Sequence, residues 1–436
     1  MKNGIKNHQH ILDKLNIQQL NPMQEKMQLA FEKESDIVLL SPTGTGKTLA
    51  FLLPIIAALD RECAEVQALI LVPSRELALQ IEQVVREMGT GYKTNAVYGG
   101  RSGSEDRIDL KHTPTILIGT PGRIADHLSK KSFSTKHIHT LVLDEFDKSL
   151  EVGFEVDMIK IIEALPHIQK RILTSATQKT KVPAFIGVKN PIHINNLNEK
   201  LTQLTLKTIV SPTEDKLETL VKTLCHIGNQ PGIIFCNLKD TIQEVSDFLW
   251  KNKIDHGCFH GSMEQIDRER ALIQFRNGTH QLIVATDLAA RGIDIPELKF
   301  IIHFQLPPRP DEFIHRNGRT ARMNNDGTAY ILKWEKEELP SFIKDSKVEK
   351  LTIGPTPTAT KWRTIYISGG RRDKISKGDV AGLFQKQGRL KPEELGVIEV
   401  KPTCTYVAVD SKKAESVIEL VNNSKLKTKK VRVSRL

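Results

Sequence analysis

The feature that most limits the fold is a glycine-rich loop between an apolar segment and a helix-length segment. The loop is Ser41-Pro-Thr-Gly-Thr-Gly-Lys47-Thr48, and the segment before it, 36–41, is rich in Ile, Leu and Val. Glycines allow a tight turn whose N–H groups converge, and a helix that begins there adds a potential favourable to anions. A strand, such a loop and a helix in this order predict a parallel α/β sheet.

Short apolar segments alternate with helix-length segments over residues 36–195, and again over 214–340. The apolar segments lack polar alternation, as expected for parallel strands covered on both faces. The alternation therefore predicts two doubly wound α/β domains. The predicted strands are 36–41, 68–73, 115–119, 140–144, 171–175, 232–237, 256–260, 282–286 and 300–304, with helices such as 46–59 and 75–88.

Shifts in composition divide the rest of the chain. The polar stretch 195–200 predicts a joint, and the Pro/Thr-rich stretch 353–360 predicts a linker. Beyond it, predicted strands at 364–368 and 405–409, with helices at 378–385 and 412–422, indicate a small α+β domain. We therefore expect domains at 1–195, 205–345 and 361–436, with a linker at 346–360.

The net positive charge lies almost entirely at the C-terminal end. The net charge is +11, and residues 361–436 hold 18 Lys+Arg against 8 Asp+Glu, a balance of +10 that leaves +1 for the rest. A basic module on a nearly neutral body favours a polyanion, most often nucleic acid. A solvated basic surface is the alternative that charge alone leaves open.

Membrane and disulfide-rich proteins are disfavoured. The longest apolar run, 49–59, contains Pro54 and is too short to span a bilayer, and the N-terminus has no apolar stretch of signal type. The five cysteines form no C-x-x-C pair and no metal-ligand spacing, which predicts free thiols in a reducing cytosol. We therefore expect a cytoplasmic protein with neither a membrane nor a disulfide partner, and we expect a monomer.

Carboxylates follow another predicted strand, in Leu141-Val-Leu-Asp144-Glu145-Phe146-Asp147. The carboxyl edge of a parallel sheet is where ligands bind. Asp144 is suited to hold hydrated Mg²⁺ and Glu145 to deprotonate an attacking water, while Lys47 would reach the β- and γ-phosphates and the Thr48 hydroxyl would bind the metal. Acidic residues at strand ends also cap helices, so this interpretation depends on the phosphate-type loop upstream.

Two arginines lie far along the chain from that loop. Arg319 and Arg322, in His315-Arg-Asn-Gly-Arg319-Thr-Ala-Arg322, are spaced to share one face of a helix or turn. Guanidinium groups from a second domain can stabilise charge on a transferring phosphoryl group, although an ordinary basic helix face has the same pattern. With Lys47 at 272 residues' distance from Arg319, the pattern predicts two domains that close to hydrolyse ATP.

Eleven motifs occur in one order along residues 10–340. They are Gln24, 41–48, Pro73-Ser-Arg-Glu-Leu-Ala78, Gly99-Gly100-Arg101, Thr120-Pro-Gly-Arg123, 144–147, Ser175-Ala-Thr177, His260-Gly261, Gln265-Ile-Asp-Arg268, 286–294 and 315–322. This ordered set resembles the DEAD-box family of RNA helicases, within helicase superfamily 2. The resemblance implies two RecA-like domains and an RNA-stimulated ATPase that uses Mg²⁺.

The resemblance also implies roles for residues at the ATP site. Gln24 would contact the adenine and Asp294 the ribose. The residues implied at the phosphates are Thr43, Gly44, Thr45, Gly46, Lys47 and Thr48. Those implied in catalysis are Lys47, Asp144, Glu145, Arg319 and Arg322. Those implied in coupling ATP to RNA are Asp147, Ser175, Thr177 and His315.

The RNA backbone would be held by residues from both domains, again by resemblance. Such contacts carry no sequence information. We therefore expect the helicase body, meaning the two α/β domains at 1–195 and 205–345, to bind RNA without preference for its sequence. The first domain would supply Arg75, Gly100, Arg101, Thr120 and Arg123, and the second Gly261, Arg268 and Thr286.

The chain departs from the family pattern in two places. In the tetrad Asp144-Glu145-Phe146-Asp147, Phe146 stands where the family usually has alanine. The three carboxylates remain, which predicts activity, with the Phe146 ring placed in the core. Ile17 stands seven positions before Gln24, where the family has an aromatic residue for adenine stacking.

The C-terminal module carries its own motifs. Tyr366-Ile-Ser-Gly-Gly370-Arg371-Arg372-Asp373-Lys374, Gly378-Asp379-Val380, Thr405-Tyr406-Val-Ala-Val409 and the ending 429–436 are similar to the RNA-binding domain of DbpA-type helicases, a variant of the RNA recognition motif. The similarity implies a preference for ribosomal RNA and a role in large-subunit assembly. Tyr366 and Tyr406 could stack on bases or simply pack. Cys404 occupies a third position at which such domains often have a stacking residue. We therefore expect Arg371, Arg372 and Lys374 to contribute more of the RNA binding.

The sequence therefore predicts an ATP-dependent RNA helicase that remodels short duplexes by ATP-driven domain closure, tethered by its basic tail to structured RNA. An ATP-gated RNA clamp or chaperone needs the same closed state and stays open as an alternative. An RNA-binding assembly factor with a silent ATPase is disfavoured by the intact set of catalytic residues. A DNA translocase is disfavoured by the resemblance of the tail to RNA binders.

Overall fold

The computed structural model describes residues 8–42, 44–100, 103–151, 153–177, 181–197, 204–287, 298–320, 326–344, 346–358 and 360–436. They form two compact units, divided near residue 203. No helix among these residues is long and apolar enough to cross a membrane.

The first unit contains seven strands and eight helices within its described ranges. The strands are β1 (Asp36–Leu40), β2 (Ala68–Leu71), β3 (Thr94–Val97), β4 (Ile116–Gly119), β5 (Thr140–Leu143), β6 (Lys170–Ser175) and β7 (Ile192–Asn195). The helices are α1 (His8–Lys14), α2 (Pro22–Lys33), α3 (Lys47–Ala58), α4 (Arg75–Met88), α5 (Gly103–Leu110), α6 (Pro121–Ser129), α7 (Phe146–Glu151) and α8 (Glu155–Glu163).

The seven strands form one parallel sheet in the order β3-β4-β2-β5-β6-β1-β7. Alternate residues of β1 enter two different cores: Ile37 and Leu39 pack in one, Val38 and Leu40 in the other. Helices cover both faces of the sheet, so every side chain of this strand is buried. This double burial is the physical reason for the unbroken apolar run in the sequence.

The second unit repeats this design. Its strands are β8 (Leu204–Ser211), β9 (Gly232–Phe235), β10 (Gly257–Phe259), β11 (Leu282–Ala285), β12 (Phe300–His303), β13 (Gly327–Trp334) and β14 (Lys347–Val348). They also form a parallel sheet, in the order β10-β11-β9-β12-β13-β8-β14. The helices described here are α9 (Leu217–Ile227), α10 (Lys239–Lys251), α11 (Gln265–Arg276) and α12 (Pro310–Asn317).

A small tail domain completes the second unit. Its elements are β15 (Trp362–Ile367), α13 (Lys377–Lys386), β16 (Leu395–Val400), β17 (Thr405–Asp410), α14 (Ala414–Val421), β18 (Lys425–Leu426), β19 (Lys429–Lys430) and β20 (Val433–Arg435). Four strands form an antiparallel sheet in the order β16-β17-β15-β20, and β18 pairs with β19 as a hairpin. Apolar side chains of β15, β17, α13 and α14 share one core.

The predicted fold class, two parallel α/β sheets and a small α+β domain, is confirmed. The nine predicted α/β strands all exist, with ends that differ by one or two residues. Residues 346–360, which the sequence predicts to be a linker, contain β14, which pairs with β8. Thr352 and Thr358 in the same stretch hydrogen-bond to His226 and Asn229 of the second sheet's domain. This stretch is therefore held against the domain.

Candidate nucleotide site and nucleic-acid surfaces

The glycine-rich loop joins β1 to α3. Gly44 and Gly46 have φ angles of 84° and 87°, a left-handed conformation that side chains rarely adopt. Lys47 begins α3, and its Nζ donates hydrogen bonds to the carbonyl oxygens of Ser41, at 2.7 Å, and Pro42, at 2.8 Å. Its ammonium group is thus held within the loop. Thr43 lies outside the described residues.

Gln24 lies directly against this loop. Its Nε2 donates to the carbonyl oxygen of Gly46 at 3.3 Å, and its Oε1 accepts from the Asn21 N–H at 3.0 Å. A Cβ at Gly46 would come within 2.6 Å of that Nε2. Asn21 Nδ2 in turn donates to the carbonyl oxygen of Thr45 at 3.0 Å. The start of α2 and the glycine-rich loop therefore form one hydrogen-bonded unit.

The first carboxylate of the tetrad follows β5, beside β6. The Asp144 side chain accepts a hydrogen bond from the Thr174 hydroxyl, which itself accepts from the Glu145 N–H at 3.1 Å. Burial, reinforced by the Glu145 charge, raises the pKa of Asp144 to about 6, although Thr174 and the Lys47 ammonium oppose this shift. A cation bound next to Asp144 would therefore stabilise the ionised form of its carboxyl group.

The next two residues of the tetrad fix the turn from β5 into α7. Glu145 has a φ of 48°, a left-handed conformation that costs free energy in a residue with a side chain. Phe146 is 1% exposed and packs in the core that lies between the sheet and α8. The predicted placement of the ring in the core is what the structure has.

A short polar relay connects the tetrad to the end of β6. The Thr177 hydroxyl donates to Asp147 Oδ2 at 3.4 Å, and the Thr177 N–H donates to Ser175 Oγ at 2.9 Å. Ser175 lies beside Leu40, the last residue of β1, across the sheet. Three of the four residues predicted to couple the two sites, Asp147, Ser175 and Thr177, are thus adjacent at one edge, next to the glycine-rich loop.

The oxygen donors at this edge fit a magnesium ion. Thr48 in the first turn of α3 and Asp144 at the end of β5 offer hard oxygen ligands, and Mg²⁺ takes its others from phosphates and water. The raised pKa of Asp144 shows that its charge lacks full compensation. The described residues hold no cluster of three or more His, Cys, Asp or Glu that could bind a metal without such partners.

The predicted RNA contacts of the first unit follow three adjacent parallel strands. Arg75 comes after β2, Gly100 after β3, and Thr120 and Arg123 after β4. These strands end at the same edge of the sheet, so the sequence motifs converge there. A Cβ at Gly100 would lie 3.0 Å from Nη1 of Arg75, which shows how closely two of them approach. Arg101 lies outside the described residues.

Sequence reasoning missed two residues behind this surface. Asp106 in α5 is fully buried, and its Oδ2 accepts from Arg123 Nε at 2.7 Å and lies 3.2 Å from His127 Nε2. His127 Nδ1 lies 3.1 Å from Ser132 Oγ. The aspartate therefore fixes the direction of the Arg123 guanidinium. A buried acid is not recognisable from the exposed-looking string Ser104-Glu-Asp-Arg107.

The predicted RNA contacts of the second unit also follow strand ends. Gly261 comes just after β10 and Thr286 just after β11, which pair in parallel. Arg268 lies in the first turn of α11, 8% exposed, with its guanidinium 5.1 Å from the centre of the Phe259 ring. These three residues lie at one edge of the second sheet.

The His315–Arg319 stretch belongs to the end of α12. His315 and Arg319 are both buried, at 5% and 4% exposure. Arg316, which the sequence did not single out, is 1% exposed and donates to Asp287 Oδ1 at 2.6 Å and Asn237 Oδ1 at 2.7 Å. It therefore anchors α12 to the strand ends. Asp294 and Arg322 lie outside the described residues.

The tail domain separates its two predicted groups of RNA contacts. Arg371, Arg372 and Lys374 are exposed on the loop after β15. Tyr366 is half-buried, whereas Tyr406 is 4% exposed, and burial raises the pKa of its hydroxyl. In this arrangement the Tyr406 ring is not open to a base.

Three family models match consecutive parts of the chain. They are the DEAD/DEAH box helicase over residues 21–185, the helicase conserved C-terminal domain over 215–324, and the DbpA RNA binding domain over 364–435. The chain is 32% identical to the ATP-dependent RNA helicase DbpA of Escherichia coli, covering 97% of this chain and 95% of that protein. It is 30% identical to the protein of that name from Bacillus subtilis, covering 92% of each.

Solved structures show the same likeness. The chain matches S. cerevisiae Dbp5 bound to RNA and ADP BeF3 with a TM-score of 0.67 and 27% identity, over 75% of this chain and 88% of that one. It matches the DEAD-box helicase Mss116 bound to ssRNA and UDP-BeF with a TM-score of 0.68 and 27% identity, over 76% and 74%.

Proposed function

Since this chain belongs to the DEAD-box family of ATP-dependent RNA helicases and carries a DbpA-type RNA-binding domain, we propose that it remodels short RNA duplexes by ATP-driven closure of its two α/β domains. The family is one of RNA-stimulated ATPases, and use of ATP follows from membership. The observation that carries the residue-level proposal is the convergence of Lys47, Asp144 and Ser175 at one sheet edge.

The proposed division of labour at the ATP site follows from the geometry of that edge. Lys47 would exchange its two carbonyl partners for phosphate oxygens, and Gln24 would contact the adenine while still supporting the loop. Mg²⁺, bound through Thr48 and Asp144, would neutralise phosphate charge, and Glu145 would orient water. Asp294 would bind the ribose. Arg319 and Arg322 would stabilise the transferring phosphoryl group when the domains, proposed at 1–195 and 205–345, close.

RNA would lie along the two strand edges already described. Arg75, Gly100, Arg101, Thr120 and Arg123 would hold one stretch of backbone, and Gly261, Arg268 and Thr286 another. The relay of Asp147, Ser175 and Thr177, together with His315, would make each site sense the other. Backbone contacts select no sequence, so target choice would fall to residues 361–436.

We assign the tail a preference for ribosomal RNA and a role in large-subunit assembly. The charge balance of +10 and the exposed Arg371, Arg372 and Lys374 support binding to a polyanion. The alignments with the two relatives named DbpA cover 97% and 92% of this chain, so both include residues of this domain.

Steady-state ATP hydrolysis tests the proposal. The full chain would be assayed without nucleic acid, with poly(U), with single-stranded DNA, and with fragments of bacterial large-subunit ribosomal RNA. We expect stimulation by poly(U), more by the ribosomal fragments, and little by DNA. Absence of stimulation by both RNAs would sink the helicase proposal, and equal stimulation by both would sink the ribosomal preference.

A further inference from the structure

The tail domain's sheet has one face that its own helices do not cover. Ile365 and Val407 point into the tail core with α13 and α14. Because side chains alternate along a strand, Thr364, Tyr366 and Tyr406 lie on the opposite face. Glu399 pairs with Tyr406 across the ladder and shares that face. Such a face is normally exposed in an isolated domain of this size.

Here the second helicase domain covers that face. The turn that follows α11 brings Thr279 Oγ1 to 2.7 Å from Thr364 Oγ1, and Asn277 Nδ2 donates to the same hydroxyl at 3.3 Å. Thr364 and Thr279 are 1% and 2% exposed. A Cβ at Gly278 would lie 3.2 Å from the Trp362 ring, so the turn fits tightly over β15. These polar groups are buried and paired with each other.

Charged residues extend the contact along α11. Arg276 Nη2 donates to both carboxylate oxygens of Glu399 at 3.0 Å, and Lys401 Nζ lies 2.6 Å from Glu399 and 3.0 Å from Glu269. The charges of Arg276 and Lys401 outweigh burial and hold the pKa of Glu399 below its usual value. Arg276, Glu399, Lys401 and Glu269 thus form a row of alternating positive and negative charges, with its two ends in α11 and its middle in the tail. This alternation fixes the register of the contact.

Helix α11 begins at the opposite end with an RNA-contact motif. Arg268, assigned above to the RNA backbone, precedes Glu269 by one residue, and the helix continues without a break to Arg276. One helix of twelve residues therefore carries Arg268, the proposed RNA contact, in its first turn, and contacts the tail through Glu269 and Arg276.

We propose that this sheet face is the tail's docking surface for α11, through which RNA held by the tail acts on the helicase body. The inference rests on the proposed function, because it needs a tail that binds RNA. In this arrangement the exposed loop at Arg371, Arg372 and Lys374 stays accessible to RNA, whereas Tyr406 is buried in the docked face and does not contact RNA. The tail is then a fixed part of the second domain, and selectivity depends on the joint as well as on the tail.

A charge swap in the full chain tests the joint. Arg276→Glu and Glu399→Arg each place like charges together, and the double variant restores an opposite pair between these two positions. Lys401 keeps Glu269 as its partner but gains a like charge at position 399, so the recovery is expected to be partial. Lys251 is an exposed residue of α10, and Lys251→Glu makes the same change in net charge as Arg276→Glu, away from the contact. Each protein is assayed for ATP hydrolysis with poly(U) and with large-subunit ribosomal RNA fragments, and for binding of the fragments. Thr364→Val, which removes the buried hydroxyl without altering charge, is the second approach.

We expect both single variants to lose the extra stimulation by ribosomal fragments while poly(U) stimulation and fragment binding stay within about threefold of the unmodified protein. The double variant should regain at least half of the extra stimulation, Lys251→Glu should lose none, and Thr364→Val should lose part of it. Full ribosomal stimulation in the single variants, or no recovery in the swap, would overturn the docking proposal. A lack of stimulation by both poly(U) and the ribosomal fragments in the unmodified protein would instead overturn the proposed function.

Discussion

The two seven-stranded sheets share one strand order, yet the loops that follow their first strands differ in whether they suit a phosphate. Numbered along the chain within each sheet, both run 3-4-2-5-6-1-7. After the first strand of the first sheet comes Ser41-Pro-Thr-Gly-Thr-Gly-Lys47, and after that of the second comes Ser211-Pro-Thr-Glu-Asp-Lys216. The second loop has two carboxylates in place of the glycines. Topology places a loop there, and its residues decide whether an anion can enter.

The two lysines show the difference most clearly. Lys47 Nζ donates to the carbonyl oxygens of Ser41 and Pro42, both in its own loop. Lys216 Nζ donates to the carbonyl oxygen of Leu332 at 3.2 Å and lies 3.8 Å from Glu337. Burial lowers the pKa of Lys216, against the opposing charge of Glu337. Lys216 therefore ties its loop to β13 and serves the fold.

Replacing the two lysines in turn gives the largest expected contrast. Lys47→Ala should lower kcat for RNA-stimulated ATP hydrolysis by about 10²–10³-fold, because a donor to the transition-state charge is lost. Lys216→Ala should leave kcat within about threefold and lower the melting temperature instead. Hydrolysis rates and thermal unfolding of both variants decide the matter. A comparable loss of kcat in both would mean that the second loop takes part in chemistry.

Asp144 should make Mg²⁺ binding at the first sheet depend on pH. Metal binding needs ionised Asp144, whose pKa of about 6 in the free protein lies above its ordinary value. Below pH 6 the apparent Mg²⁺ affinity should therefore fall by about tenfold per pH unit, and above it the affinity should be level. Thr174→Val removes the hydrogen bond that favours the charged form, so the fall should begin at higher pH. An unchanged Mg²⁺ titration profile in that variant would contradict the assigned metal ligand.

Behind the RNA edge of the first sheet, Asp106 should act as a positioning residue for Arg123. Asp106→Asn keeps the shape but removes the charge that orients the guanidinium, so we expect the poly(U) concentration for half-maximal ATPase to rise by about 3–10-fold. The kcat at saturating RNA should stay unchanged. Asp126→Asn, which changes a half-buried neighbour of Arg123 at 3.6 Å, is the matched control. Equal effects of the two variants would remove the special role of the buried acid.

The smallest expected effect concerns the base of the nucleotide. Gln24→Ala should reduce the preference for ATP over GTP by about 3–10-fold, the range for loss of one or two hydrogen bonds. Gln28→Ala, one turn further along α2, controls for the helix itself. The ratio of kcat/KM for the two nucleotides is the measurement. Equal use of ATP and GTP by the unmodified protein would show that Gln24 does not select adenine.

The sequence predicted the buried parts of the fold better than the edges. Strands such as β1 are covered on both faces and are therefore continuously apolar, whereas β7 exposes three of its four residues and β8 mixes Thr and Lys with Leu and Ile. Those strands, with β3, β13 and β14, were not predicted. The ATP-site motifs are local in sequence, so their positions could be assigned. The burial of Tyr406 depends on α11, more than a hundred residues earlier, and no local pattern reveals it.

The pairing of β14 with β8 has a consequence for where this protein can work. The segment that joins the second domain to the tail pairs with β8 as a strand and hydrogen-bonds to His226 and Asn229 through Thr352 and Thr358. It therefore acts as a rigid connection of fixed length. RNA anchored on the tail would then meet the helicase body at a constant offset in nucleotides. Duplexes at that offset from the anchored RNA would be opened and others would not. The spacing between the anchor and the duplex would then help to select the substrate, which neither domain could do alone.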